Sequence, residues 1–365
     1  MKVGVLTFHE TVNYGAMLQT YALQKHINSL GIPCEVIDYK DHALLKKERP
    51  LKLLEQRSLK GILKYLTCHD YQVSKWAAFE AFKGEHIPMS ARPYEMSELP
   101  LLENEYDMIL CGSDQIWNTE ITQNDFSYYL DFLADPKKKY AYAASFGYTA
   151  LPEEIKDRAV GCLKEFQRPI TVREEEAKKI VDEALGADAA QVVVDPTLLL
   201  SKEQWQSLMT DTERGNYIVA YMVDFCEETF DFIRDLAERE GCKMIYVHDA
   251  IRSQSGMENS RDDSVQEFLN MLNGAKYVVT GSFHALCLSL ILEKQFFYTL
   301  SSIHNRNSRL TTLLAHAGIE GRKVVKGICE NDAPIDYAAV TPRLQKKIEE
   351  SKEILQKILN EARKS

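Results

Sequence analysis

One histidine, three arginines and two polar loops carry the chemistry open to this sequence. His284 closes the segment Gly281-Ser282-Phe283-His284, which joins an apolar run at 277–280 to a second at 285–292. An imidazole where a strand feeds a helix can exchange a proton near neutral pH or hydrogen-bond an anion. The free N–H groups of the helix start add positive potential at the same point. The segment also reads as a plain helix cap whose histidine satisfies a backbone group. Arg173 ends a short apolar run at 170–173, where its forked donors could clamp a carboxylate or phosphate; a salt bridge to Glu174, Glu175 or Glu176 explains it as well. Arg306 and Arg309, three residues apart at the start of a predicted helix, read either as a second anion clamp or as exposed surface arginines. In the loop 112–118 (GSDQIWN), Ser113, Asp114, Gln115 and Asn118 supply donors and acceptors, and Trp117 offers a flat face for a sugar ring. A structural turn around a buried Trp is the alternative. Asn13 and Gly15 fall at a further strand-to-helix turn, where glycine lets the backbone approach a ligand.

The elements that must hold these groups alternate between strand and helix. A strand at 2–8, a helix at 16–30 and a strand at 34–39 form a βαβ unit and predict a parallel sheet. Residues 43–84 depart from the alternation. They are helical in composition, with basic clusters (Lys46, Lys47, Arg49; Lys60, Lys64) and an aromatic stripe of Trp76, Phe79 and Phe82 that suits core packing. Strands then follow at 106–111, 140–146, 170–173 and 191–194. A polar, turn-prone stretch at 210–216 marks a domain boundary, beyond which strands at 217–223, 243–247, 277–280 and 296–300 alternate with helices. The expected division is an N-terminal domain, 1–212, with a helical insertion at about 43–100, a C-terminal domain, 213–340, and a final helix, 341–365, packing back across the junction. Such domains keep ligands at the tips of their strands.

Composition narrows the function. A chain of 365 residues with 45% hydrophobic and 27% charged residues is an ordinary globular protein, long enough for two cores. Its net charge of −10 argues against a broad nucleic-acid surface. The 8 cysteines are scattered without a Cys-x-x-Cys pair, so no metal cluster or disulfide framework is indicated. The start, MKVGVLTF, reads as a first strand and not a signal peptide, and no apolar run is long enough to span a membrane. The expected address is the cytoplasm.

Taken together, NYGAMLQTYAL from Asn13, GSDQIWN from Gly112, Ser145-Phe146-Gly147, Val172-Arg173-Glu174, DPTLLL from Asp195 and TGSFHALCLSLIL from Thr280 resemble the polysaccharide pyruvyl transferase family, in the branch with Ser-Phe-His at the histidine. The resemblance implies an α/β fold of two Rossmann-like domains facing a cleft, GT-B-like. It implies an enzyme that transfers pyruvate from phosphoenolpyruvate to sugar hydroxyls as a ketal in surface polysaccharide synthesis. His284 would then be the catalytic acid or base. Arg173, Ser282, Arg306 and Arg309 would hold the anionic donor, and Asn13, Gly15, Ser113, Asp114, Gln115 and Trp117 would line the acceptor cleft. No cofactor or metal is implied beyond the donor itself. The partners are a free or lipid-linked glycan acceptor, with no nucleic acid and with peripheral membrane association compatible with such an acceptor; the oligomeric state is left open. Characterised members carry an arginine two residues before the histidine, where this chain has Ser282, whose hydroxyl brings no charge. That departure keeps two other readings in view: a nucleotide-sugar-dependent glycosyltransferase on the same architecture, and a non-catalytic glycan- or partner-binding member.

Overall fold

A computed structural model describes residues 1–211, 213–249, 253–302 and 307–364. In the first half, β1 (Val3–Leu6), β2 (Cys34–Val36), β3 (Met108–Cys111) and β4 (Lys139–Ala141) form a parallel sheet of order β2-β1-β3-β4. Val3 faces Cys34 on one side and Met108 on the other. The runs VGVL and MILC are buried at every position, as strands covered on both faces must be. Around and between these strands lie α1 (Tyr14–Ser29), α2 (His42–Glu48), α3 (Leu59–His86) and the short α4 (Thr119–Thr122). Farther along, α5 (Glu153–Leu163) precedes a parallel pair, β5 (Ile170–Val172) and β6 (Ala190–Val192), connected by α6 (Glu175–Leu185). The short α7 (Lys202–Gln206) ends this half.

The segment expected as one strand over 140–146 forms a regular ladder only to Ala141. Beyond it, Tyr142 donates to the Cys111 carbonyl (2.9 Å) and Ala144 to the Thr171 carbonyl (3.2 Å), so the chain transfers its pairing from β3 to β5. The Ala144–Val172 bridge joins β5 and β6 to the main sheet.

The second half is also parallel. Strands β7 (Tyr217–Tyr221), β8 (Lys243–Val247), β9 (Glu258–Ser260), β10 (Tyr277–Thr280) and β11 (Gln295–Tyr298) take the order β11-β10-β7-β8-β9. Helices α8 (Glu227–Glu240), α9 (Val265–Gly274), α10 (Phe283–Ile291) and α11 (Ser308–Ala317) accompany them. Strand β9 lies inside a stretch that reads as a polar loop; its residues Glu-Asn-Ser suit an edge, where one side of the strand stays unpaired.

The two halves share a core. Helix α1 is buried along nearly its whole length and packs with α10 and with Leu198, Leu199 and Leu200 of the DPTLLL block. The last helix, α12 (Tyr337–Ala362), spans both halves. Near its start the Tyr337 hydroxyl bonds the Ser289 carbonyl (3.2 Å), and farther along the Ser351 hydroxyl accepts the Val194 N–H (3.0 Å). Among the described residues no helix is long and apolar enough to cross a membrane.

Helix α3 holds Cys68, Phe79 and Phe82 against the protein, while Trp76, expected with that stripe, is only half-buried. His26, in the last turn of α1, is buried against α12 beside Lys352. Burial, aided by Lys352 and opposed by Glu349, lowers its pKa to about 4. The unfolded chain binds this proton near pH 6.5 and the folded one does not, so stability is present above pH 6.5 and falls as the pH drops toward 4. Between pH 7 and pH 5 the loss from this group should be on the order of 1–2 kcal/mol. Urea denaturation of His26→Gln should show a correspondingly shallower acid loss; identical slopes for variant and parent would refute the assignment.

Candidate functional site

The tips of the two sheets face one cavity of about 600 Å³. The loop after β1 brings Thr11 and Asn13, the loop after β3 brings Asp114, Gln115 and Asn118, and the turn after β10 brings Ser282 and His284. Arg309 enters from the first turn of α11. These are the carboxyl ends of parallel strands, where βα loops and helix starts converge.

The turn around His284 is built by short local bonds. The Thr280 hydroxyl donates to the Tyr221 carbonyl (2.6 Å) and accepts the Ser282 N–H (2.9 Å), which fixes the exit from β10. Ser282 then caps α10, its hydroxyl accepting the Ala285 N–H (3.4 Å). His284, one turn-residue inside the helix, is buried but borders the cavity. Its ring lies directly on Gly15 of α1: a Cβ added at Gly15 would stand 2.0 Å from Nδ1. Glycine is therefore required there for space, because any side chain would displace the imidazole. The other ring nitrogen, Nε2, stands 3.4 Å from Asp195 Oδ2 and 3.3 Å from Arg173 Nη1. Nδ1, packed against Gly15, has no hydrogen-bond partner among the described residues.

Behind the histidine is a buried charge network. Arg173 is closed to solvent and gives Nη1 to Asp195 (2.8 Å) and Nη2 to Asp114 (3.1 Å). Asp195 Oδ1 accepts both the N–H (3.0 Å) and the hydroxyl (2.7 Å) of Thr197, and Oδ2 also accepts from Ser113 (3.3 Å). Burial alone would raise the Asp195 pKa, but His284 and Arg173 outweigh it and hold the carboxyl well below its usual range. Asp114 behaves likewise, with burial overcome by Arg173, His284 and Arg309. Glu174 goes the other way: burial raises its pKa despite Arg173 and Arg309, and Ser145 donates to its Oε1 (2.7 Å). Two buried atoms in this network have no hydrogen-bond partner, Arg173 Nε and Glu174 Oε2, which lie 3.9 Å apart. Arg309 is half-buried, and burial together with Arg173 lowers its pKa to about 10, so it stays charged at neutral pH. It rests near the Phe283 ring (5.9 Å) and makes no ion pair with the described residues.

Several sequence expectations change here. Trp117 is not a sugar platform: it is fully buried, stacked on Tyr129 (5.4 Å between centroids), with its indole N–H donated to the Tyr128 carbonyl (3.0 Å). A large ring at the base of a loop gains more from such a core than from the rim. Ser113 is also buried, donating to the Ala143 carbonyl (2.9 Å) behind the cavity wall. Arg173 is not an open clamp, because its donors are committed to Asp114 and Asp195. Arg306 lies outside the described residues. Asn13 lines the cavity and also caps α1 by accepting the Ala16 N–H (3.1 Å). Sequence reasoning passed over Asp195 and Glu174 as functional residues, although both sit in blocks it had marked, DPTLLL and Val172-Arg173-Glu174. It also passed over Gly147, where a Cβ would meet Gln115 Oε1 at 2.1 Å.

A potential metal-ligand group, His9, Glu10 and Asp38, gathers at the ends of β1 and β2, its ligand atoms all within 4.8 Å of one another. Its residues come from the segments that follow two separate strands, so no sequence spacing reveals it. The Lys40 ammonium bonds Glu10 and Asp38 (2.9 Å to the latter), giving both carboxylates a cation from the protein itself.

Comparison with known proteins places this geometry. A glycosyltransferase from Rickettsia africae superposes with a TM-score of 0.52 at 10% identity, covering 98% of this chain and 98% of that one. UGT89C1 of Arabidopsis thaliana, solved with UDP-L-rhamnose, gives 0.50 at 10% identity, covering 99% of each chain. A UDP-GlcNAc 2-epimerase from Methanocaldococcus jannaschii, in complex with UDP-GlcNAc and UDP, gives 0.48 at 13% identity, covering 98% of this chain and 99% of that one. The likeness is one of fold: two Rossmann-like domains facing a cleft, in the GT-B-like arrangement. No curated protein is detectably similar in sequence. The sequence pattern that does match runs over residues 13–302, from the cap of α1 past the His284 turn and β11, and by it the chain belongs to the polysaccharide pyruvyl transferase family, a family of transferases.

Proposed function

We propose that the protein transfers pyruvate from phosphoenolpyruvate to two hydroxyls of a sugar, in the cytoplasm, during synthesis of a surface polysaccharide. The observation that carries this reading is Arg309, a charged guanidinium without an ion-pair partner among the described residues, on the same cavity as His284 and the start of α10. That corner suits a small, multiply charged anion: Arg309 and the helix start attract the phosphate and carboxylate, and Ser282 adds a hydroxyl.

The reaction asks for one proton on C3 of the enol, two new C–O bonds at C2 and loss of phosphate from C2. Two hydroxyl protons are released; one balances the proton gained by C3 and the other leaves with phosphate or solvent. His284 suits the transfer. Asp195 lies 3.4 Å from Nε2, and Nδ1, which has no hydrogen-bond partner among the described residues, can deliver a proton and later take one from a sugar hydroxyl. Arg173 keeps Asp195 ionised and in place. Along the cavity, Gln115, Asn118 and Glu48 offer acceptors and donors of the kind that sort sugar hydroxyls.

Phosphate release from phosphoenolpyruvate should depend on a glycan acceptor and be accompanied by a ketal methyl signal in the proton NMR spectrum. His284→Gln should lower turnover by about 10²–10⁴-fold. Arg309→Met should chiefly raise the KM for phosphoenolpyruvate, with Arg309→Lys recovering part of the loss. Stabilisation against heat by a nucleoside diphosphate and not by phosphoenolpyruvate would instead favour a nucleotide-sugar donor.

Gly15→Ala offers a sharper check on the geometry. The added Cβ would meet Nδ1, Cγ and Cβ of His284 at 2.0, 2.5 and 2.9 Å, so overpacking should cost roughly 1–3 kcal/mol of stability against a smaller gain in helix propensity. The displaced imidazole should in addition cost about a hundredfold or more in turnover of the folded protein. A fully active Gly15→Ala enzyme would remove His284 from the reaction.

A further inference from the structure

Helix α3 has two apolar faces. At 100° per residue, Leu59, Ile62, Leu63, Leu66 and Val73 share one side, and Cys68, Phe79 and Phe82 fall about 180° away. The second set is buried against the protein. The first faces solvent, with exposures of 86% at Leu59, 63% at Leu63 and 70% at Leu66, and the turn before it adds Leu54 at 99%. Large apolar side chains gathered in this way mark an interaction surface.

Charge identifies the partner. Residues 43–67 carry seven basic and two acidic side chains, a net +5 within a chain of net −10. Lys46, Lys52, Arg57, Lys60 and Lys64 are exposed, and none pairs with a carboxylate among the described residues. A leucine face bordered by unpaired lysines is the composition of a helix that lies in a membrane interface, with its apolar side among acyl chains and its cations at anionic headgroups. Pairing with a second copy of this chain through the same face would bring two such cationic rims together, which disfavours that occupant.

We propose that the outer face of α3, with the turn at Leu53–Glu55, docks the protein on an anionic lipid bilayer. The patch is tied to the site through α2, which supplies Leu44, Lys47 and Glu48 to the cavity wall and whose following residue Arg49 pairs with Glu55 of the turn (2.5 Å). Docking there sets the cavity mouth beside the bilayer, as a lipid-linked acceptor requires; this last step rests on the function proposed above, whereas the docking itself does not.

The full chain should co-sediment with phosphatidylcholine vesicles containing phosphatidylglycerol, and much less with phosphatidylcholine alone. The triple variant Leu59→Gln/Leu63→Gln/Leu66→Gln should bind at least about tenfold more weakly, and Lys60→Gln/Lys64→Gln should lose binding mainly at low salt. Circular dichroism and the thermal midpoint should be unchanged, since these side chains touch no core. Turnover of a soluble acceptor should also be unchanged in the triple variant, so a failed phosphoenolpyruvate assay leaves the vesicle result standing. Absence of binding by the parent chain, or equal binding by the triple variant, overturns the proposal. So does a parent dimer in light scattering that the triple variant dissolves without any vesicle association.

Discussion

The seat of His284 on Gly15 is the contact on which the site depends. The ring belongs to α10 of the second sheet's half, the glycine to α1 of the first, and the Asp195 and Arg173 groups at Nε2 come from the segments after β6 and β5. The imidazole is thus held by parts of the chain that meet only when both halves are assembled. The shared core of α1, α10 and the DPTLLL leucines explains how that meeting is enforced, and α12 ties the halves a second time through Tyr337 and Ser351. Burying Arg173, Asp114 and Asp195 away from water carries a penalty on the order of several kcal/mol per ion unless each is paired. Here each is paired, and nearly every donor and acceptor is used. The exceptions, Arg173 Nε and Glu174 Oε2, lie 3.9 Å from each other, so the remaining unsatisfied polarity is concentrated at one point of the network.

Much of the fold was legible because buried parallel strands and their crossover helices leave a strong alternating pattern. The site was legible as a set of segments more than as a set of side chains. Apolar strand tips followed by Gly, Ser, Asn or Asp identify where loops converge, but not which way a residue in the loop turns. Trp117 shows the difference. Its neighbours Asp114 and Gln115 face the cavity, while the indole folds under the loop to stack on Tyr129, an outcome decided by partners from 126–129 that no local pattern connects to it. Asp195 shows the converse. As the residue before a proline it looks like a turn former, and it does cap the turn at Pro196–Leu198 with Oδ1. Its second oxygen serves His284, and that dual use appears only once the two halves are brought together.

Helix α3 was legible in part for a related reason. An aromatic stripe at 76, 79 and 82, three residues apart, promises one buried face, and Phe79 and Phe82 honour it. The leucines of the first half occupy the opposite side, so the helix buries one apolar face chiefly in its C-terminal half and exposes another chiefly in its N-terminal half. Local periodicity treats any apolar stripe as core; only the placement of the helix decides which stripe finds the protein and which finds something else.

The replacement of the family's arginine by Ser282 is best understood through charge position. A cation two residues before His284 would project from the first turn of α10, over the helix start. Ser282 instead accepts the Ala285 N–H on its hydroxyl oxygen, capping that helix; its O–H can still donate but brings no charge, which leaves the α10 dipole as the local electrostatic attraction for an anion. Arg309 approaches the same space from α11 and has no counter-ion among the described residues, and it stands close enough to Glu174, Asp114 and Asp195 to feel all three. A guanidinium held by distant carboxylates, none near enough to pair, is kept charged without being occupied. In the pyruvyl-transfer reading, the donor's own negative groups complete that pairing, so binding the donor and neutralising the site become one event. In the same reading the cation comes from α11 and not from the residue before α10, while the electrostatic requirement at the head of α10 stays the same.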